Sequence, residues 1–155
     1  MAFSVFVSHS MRPIDLPLLR GVCDHLSHHG IDYYLAERDW RFGESLPSRV
    51  ENAIARADCV LGFFTMDGEA AAYVNQEIGI AATMKKAIIP VLEKGADLIG
   101  FRSDLDYLVL DRDAPQDCAA QLAARLGKLN ATKEIRAAMC WAVIATAGLL
   151  FLGRS

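Results

Sequence analysis

Six consecutive residues, Cys59-Val60-Leu61-Gly62-Phe63-Phe64, carry no polar side chain. A strand with one wet face alternates apolar and polar residues. A strand with no polar position is covered on both faces, as in a parallel sheet with helices above and below. Directly after this run, Thr65-Met66-Asp67-Gly68 turns the chain into an alanine-rich segment, residues 70–82, that reads as one helix. Its only carboxylate is Glu77, four residues after Tyr73, so acid and ring share a helix face. Taken alone, such a glutamate is more often solvated than functional.

The flanking chain repeats the strand–helix alternation. Phe3 to Ser8 is β-branched or aromatic at alternate positions and predicts a strand, followed by the polar loop His9-Ser10-Met11-Arg12-Pro13. From Ile14 to His29 the apolar residues Leu16, Leu19, Val22, Cys23 and Leu26 recur at helical spacing, and Gly30 is a stop signal. Ile31 to Leu35 predicts a second strand, and residues 36–45 a charged loop. Ser45 is placed to cap the next helix, with Pro47 in its first turn and Val50, Ala53, Ile54 and Ala57 as its inner stripe. Ala87 to Leu92 predicts a fourth strand, Pro90 suggesting a strand end, and Tyr107 to Leu110 a fifth. Residues 94–102 between them have little helical pattern, and Gln116 to Leu129 closes the domain as an amphipathic helix.

At 155 residues this is one domain with room for a core. A net charge of −3 and the lack of a Lys/Arg run give no electrostatic case for nucleic-acid binding. Cys23, Cys59, Cys118 and Cys140 are widely separated and form no metal-ligand spacing, so neither disulfide framework nor metal is expected and a reducing compartment suffices. No basic leader with an apolar stretch opens the chain.

Five strands alternating with helices predict an α/β fold: a flavodoxin-like parallel sheet of order 2-1-3-4-5, with helices on both faces. In that order the chain reverses direction between strands one and three, and ligands sit beyond the carboxyl ends of strands at such a point. Those ends are Ser8-His9-Ser10 and Phe64-Thr65-Met66, and the helix carrying Glu77 starts from the second. No cysteine falls at a strand end facing the crevice, which argues against Cys/His nucleophilic catalysis.

In this order the motifs resemble a TIR (Toll/interleukin-1 receptor) domain of bacterial type over about residues 1–128. Phe6-Val7-Ser8-His9-Ser10 resembles the family's first-strand motif, and Glu37-Arg38-Asp39 with Gly43 its second loop, the BB loop. Ile54-Ala55-Arg56-Ala57-Asp58-Cys59-Val60 resembles the entry to the third strand, Tyr73-Val74-Asn75-Gln76-Glu77 the Trp-x-x-x-Glu motif, and Ile88-Ile89-Pro90-Val91 the fourth strand. Tyr73 stands in place of the usual tryptophan, and Phe42 where many members have proline.

Some TIR domains cleave NAD⁺ at the nicotinamide–ribose bond, so the resemblance implies a catalytic role for Glu77, with NAD⁺ as substrate and no cofactor. Ser8, His9 and Ser10 are candidate pocket residues, His9 having a water-facing loop position as its other reading. Arg38, Trp40 and Phe42 belong to the implied substrate-binding loop; the two rings either cover a ring of NAD⁺ or touch a neighbouring TIR domain. Tyr73 is expected to pack beneath the carboxylate. Self-association with other TIR domains is implied, as is a role in antiphage defence or signalling. The rival reading is a non-enzymatic TIR–TIR scaffold or a protein that interferes with host signalling.

Mean hydropathy is high for a globular domain, +0.22, and the excess is concentrated at the end. Residues 137–153 form an uncharged run of 17, at the lower edge of the spanning range. The expected division is therefore a TIR domain over 1–130 and a C-terminal apolar helix over 131–155, read as a membrane anchor, with a buried core helix as the competing reading. Lys128, Lys133 and Arg136 place the domain on the cytoplasmic face of a membrane under this reading.

Overall fold

The structure, a computed structural model, describes residues 2–10, 12–35, 46–66, 68–96 and 106–152; for residues 13, 46, 47, 68–71 and 140–152 it describes the backbone alone. Strand β1 (Phe3–His9) leads through a single 3-10 turn, Pro13–Asp15, into helix α1 (Leu16–Ser27). The expected helix began at Ile14. Pro17 lies in its observed first turn, where a missing N–H costs nothing, and the residues before it take the tighter turn. Gly30 ends this segment with a φ of +72°, a conformation that suits a residue without a Cβ.

Strand β2 (Ile31–Leu35), helix α2 (Leu46–Arg56), strand β3 (Cys59–Phe64), helix α3 (Gly68–Thr83), strand β4 (Ala87–Glu93) and strand β5 (Leu108–Leu110) follow. All pairings are parallel and the order is β2-β1-β3-β4-β5, as the sequence predicts. Pro90 lies mid-strand rather than at an end. It is tolerated there because β5 pairs with β4 only from Val91 onward.

Every residue of β3 is buried, which is the reason its sequence could dispense with alternation. One core cluster gathers Phe6, Ile54, Ala57, Val60 and Ala81; another gathers Phe64, Val74, Ile78 and Leu92. On the expected inner stripe of α2, Ile54 and Ala57 are buried and Val50 and Ala53 pack against them. Val74, Ile78 and Ala81, spaced at four and three residues, are the buried edge of α3.

Helix α4 runs from Pro115 to Leu152, well beyond the expected end at Leu129, since no proline interrupts it. The chain divides into two compact units, Met1–Ala123 and Ala124–Ser155. The expected membrane anchor is overturned: among the described residues no helix is long and apolar enough to cross a membrane. The uncharged run is not an element of its own but the end of α4, after Lys128, Lys133, Glu134 and Arg136. From Ala137 the helix continues for 16 residues, about 24 Å at ~1.5 Å per residue, against a ~30 Å hydrocarbon core. The membrane as partner and the cytoplasmic-membrane location fall with it.

Candidate active site

Ser8 sits near the carboxyl end of β1, opposite Gly62 of β3 in the ladder. Its side chain points to the face covered by α3, where its hydroxyl donates to Glu77 Oε2. Ser8 is fully buried, and Glu77 is half-buried. The contact depends on how closely α3 lies on the sheet. A Cβ at Gly62 would overlap Ile78 Cδ1 and stand 3.4 Å from Val74 Cγ1, so the glycine makes room for the helix. Glu77 precedes Ile78 and thereby reaches the neighbouring strand. A buried hydroxyl donating to it fixes the carboxylate's orientation at the point where the sheet order reverses.

Two residues on, Ser10 leaves β1 and joins the end of β3. Its N–H donates to the Phe63 carbonyl (3.2 Å), its hydroxyl lies 2.6 Å from Thr65 Oγ1, and the Thr65 N–H donates to Ser10 Oγ (3.0 Å). Both side chains are buried. The intervening His9 is the last residue of β1, and strand alternation sets it on the face opposite Ser8. Tyr73, one turn before Glu77 on α3, is 53% exposed. Arg38, Trp40 and Phe42 lie outside the described residues, as does the Ser45 cap.

Beside the Ser10–Thr65 pair is a cavity of about 470 Å³ lined by Arg12, Asp15, Thr65, Met66, Glu93 and Arg112. Its charges bind one another. The Arg112 guanidinium donates to Glu93 and, at 2.7 Å, to Asp15; Arg12 adds a 3.2 Å contact to Asp15; the Met66 N–H donates to Glu93 Oε2 at 3.1 Å. The bonds from Arg112, and after them those from Arg12, hold the Asp15 carboxyl below its ordinary value despite some desolvation, and the Arg112 guanidinium is pushed above its own. Glu93, the last residue of β4, is only 5% exposed, so this ring joins the segments after β1, β3 and β5 around a buried acid.

Sequence reasoning missed Gly62, Glu93 and Arg112, and had Thr65 only as part of a strand end. The signals were a glycine inside an apolar run and an acid directly following an apolar strand, but nothing local named the partners. The three described free cysteines are buried, and desolvation pushes the Cys23 and Cys59 thiols up to about 12 and Cys118 up to about 11. None of these is a nucleophile near neutral pH.

The TIR domain family profile matches residues 5–126, and the chain belongs to that family. The TIR domain of the Toll-related receptor TRR-2 from Hydra magnipapillata superposes with a TM-score of 0.62 at 18% identity, covering 79% of this chain and 96% of that one. The TIR domains of the activated Roq1 resistosome, which recognises the pathogen effector XopQ, give 0.59 at 12%, with 81% and 99% covered. The CMP N-glycosidase BcmB of Clostridium botulinum gives 0.57 at 19%, with 77% and 97% covered. These similarities are of fold. No curated protein matches the sequence.

Proposed function

We propose that this TIR domain cleaves the nicotinamide–ribose bond of NAD⁺, with Glu77 as the catalytic carboxylate. The observation that carries the reading is Glu77 itself: a half-buried acid held by Ser8 at the carboxyl end of β1, where an α/β sheet binds ligands. As the C1′–N bond breaks, its electron pair goes to the nicotinamide ring, which departs neutral and needs no general acid. Positive charge develops on the ribose, and a fixed carboxylate stabilises it. Water then adds to C1′ and gives up a proton, yielding ADP-ribose; an internal nucleophile in place of water gives a cyclic product.

Ser8 positions the acid. Ser10, His9, Tyr73 and the loop residues Arg38, Trp40 and Phe42 are the proposed substrate-binding set, and the loop is also the proposed contact for a second TIR domain. That one fold neighbour is itself named an N-glycosidase, and another is the TIR domains of an activated resistosome, supports the reading by analogy. The test is release of nicotinamide from NAD⁺ by the concentrated protein, read by chromatography. Activity lost in Glu77→Gln supports the assignment; activity that survives this change sinks it.

A second reading has an observation of its own. The Ser8–Glu77 bond also ties α3 to β1, so the acid would serve a non-enzymatic TIR scaffold as a structural clamp. In that case Glu77→Gln lowers the unfolding midpoint, while the wild type releases no nicotinamide at any concentration at which it assembles.

A further inference from the structure

A second cavity, about 370 Å³, opens at the opposite, amino end of the sheet, within the ~300–1,000 Å³ range of small-molecule sites. On this face α2 packs over Phe6 of β1 and Val60 of β3, and the cavity lies between the flank of α2 and the edge strand β2. Phe6 and Val60 meet Ile54 and Ala57, whereas Asp32 and Tyr34, on the same face of β2, lie at the margin. Tyr34 stacks one ring face on Phe6, with centroids 5.9 Å apart, and is 49% exposed.

The opposite wall is the flank of α2, where Arg49, Asn52 and Arg56 recur at three and four residues and so share one side. The duties expected of Arg56 at a helix end are performed by another residue. Lys86 Nζ donates to the carbonyls of Ala55 (2.6 Å) and Ala57 (2.8 Å), capping α2. Among the described residues no side chain engages the Arg56 guanidinium, the Asn52 amide or the Asp32 carboxylate. The carboxyl-end cavity differs in this respect, since its arginines are bound by Asp15 and Glu93.

We propose that this amino-end cavity binds a nucleoside 5′-monophosphate, at a site separate from Glu77. The phosphate meets the guanidinium of Arg56, with Arg49 and Asn52 on the same wall. The base stacks on the outer face of Tyr34. Asp32 accepts from a ribose hydroxyl or the base amino group. The three groups ask for an anion, a flat ring and a hydrogen-bond donor in one small molecule, which inorganic phosphate or a bare nucleoside supplies only in part.

The experiment is calorimetric titration of the full chain with adenosine 5′-monophosphate, adenosine, phenyl phosphate and inorganic phosphate. The nucleotide is expected to bind, with the other three weaker by roughly tenfold or more. Arg56→Ala, at an exposed position, weakens the nucleotide by at least about tenfold, the size of one charge-assisted contact; Tyr34→Leu weakens it several-fold. Glu77→Gln leaves it unchanged, so the result is independent of whether NAD⁺ is cleaved. The proposal is overturned by an absence of binding up to about 10 mM, or by an affinity that Arg56→Ala does not alter. Loss of binding in Glu77→Gln overturns it too, because the ligand is then in the other site. Equal affinity for inorganic phosphate or phenyl phosphate reduces the site to an anion patch or reassigns it to a phosphorylated aromatic side chain.

Discussion

At the carboxyl end of the sheet the polar side chains engage one another: Ser8 with Glu77, Ser10 with Thr65, and Arg112 with both Glu93 and Asp15. At the amino end the polar groups serve mainly to terminate backbone elements. Asp58 accepts from the Ser4 N–H at 3.0 Å and Lys86 closes α2, while Asp32 and Arg56 remain outside these bonds. The first pattern holds groups in place, as an acid must be held to stabilise a transient charge. The second secures the scaffold and leaves a cavity wall open. In a parallel α/β sheet the strand-to-helix loops lie at the carboxyl end, which is where ligands bind.

The strongest way to break the contrast is Glu77→Gln, expected to cut nicotinamide release by about 100-fold or more while changing the unfolding free energy by less than about 1 kcal/mol. An equal loss of stability and activity would erase the distinction between a held acid and a clamp. Next is Arg112→Ala, which strands the buried Glu93. The cost is expected near 2 kcal/mol in urea unfolding, below the ~3–5 of a fully buried pair because Arg112 is 40% exposed.

Gly62→Ala is expected to cost about 1–2 kcal/mol by pushing Ile78 and α3 off β3. Ile78→Val removes the overlapping methyl, so the double variant should be less destabilised than the two changes summed; strict additivity would refute close packing at this point.

The pH dependence of stability sharpens the same end. Asp15 has its folded carboxyl held below the ordinary value of 3.8, first by the bond from Arg112. Its contribution is fully present above that value and is lost as pH falls below it toward the depressed one. Acid unfolding followed by circular dichroism should therefore show a stability loss below about pH 4 that Arg112→Ala diminishes. The smallest effect is expected for the thiols. In a Cys140→Ala background, alkylation at pH 8 should leave Cys23, Cys59 and Cys118 unmodified over a time that labels a peptide thiol fully.

Much of the architecture was legible in the chain because it rests on local pattern. The unbroken apolar run of β3, the helical spacing in α1 and α2, and Gly30 after α1 each follow from the period of a single element. So did the placement of Glu77, once the run before it was read as a buried strand. The ends of α4 were not legible in the same way. The uncharged stretch from Ala137 resembles an independent anchor by composition, but the helix propagates through it because no proline follows Pro115 before Leu152, and Gly127 and Gly148 are tolerated within the helix.

By itself the sequence determined the class of fold, the strand order it favours and the acid at the point of reversal, since periodicity and motif order are properties of neighbours along the chain. Only the tertiary structure decided which groups face one another. Ser8 meets Glu77 across 69 positions and Arg112 meets Asp15 across 97. His9, beside Ser8 in sequence, is turned away by the pleat. Such meetings depend on strand register and on how closely a helix can lie on a glycine, and neither is encoded by residues near each other in the chain.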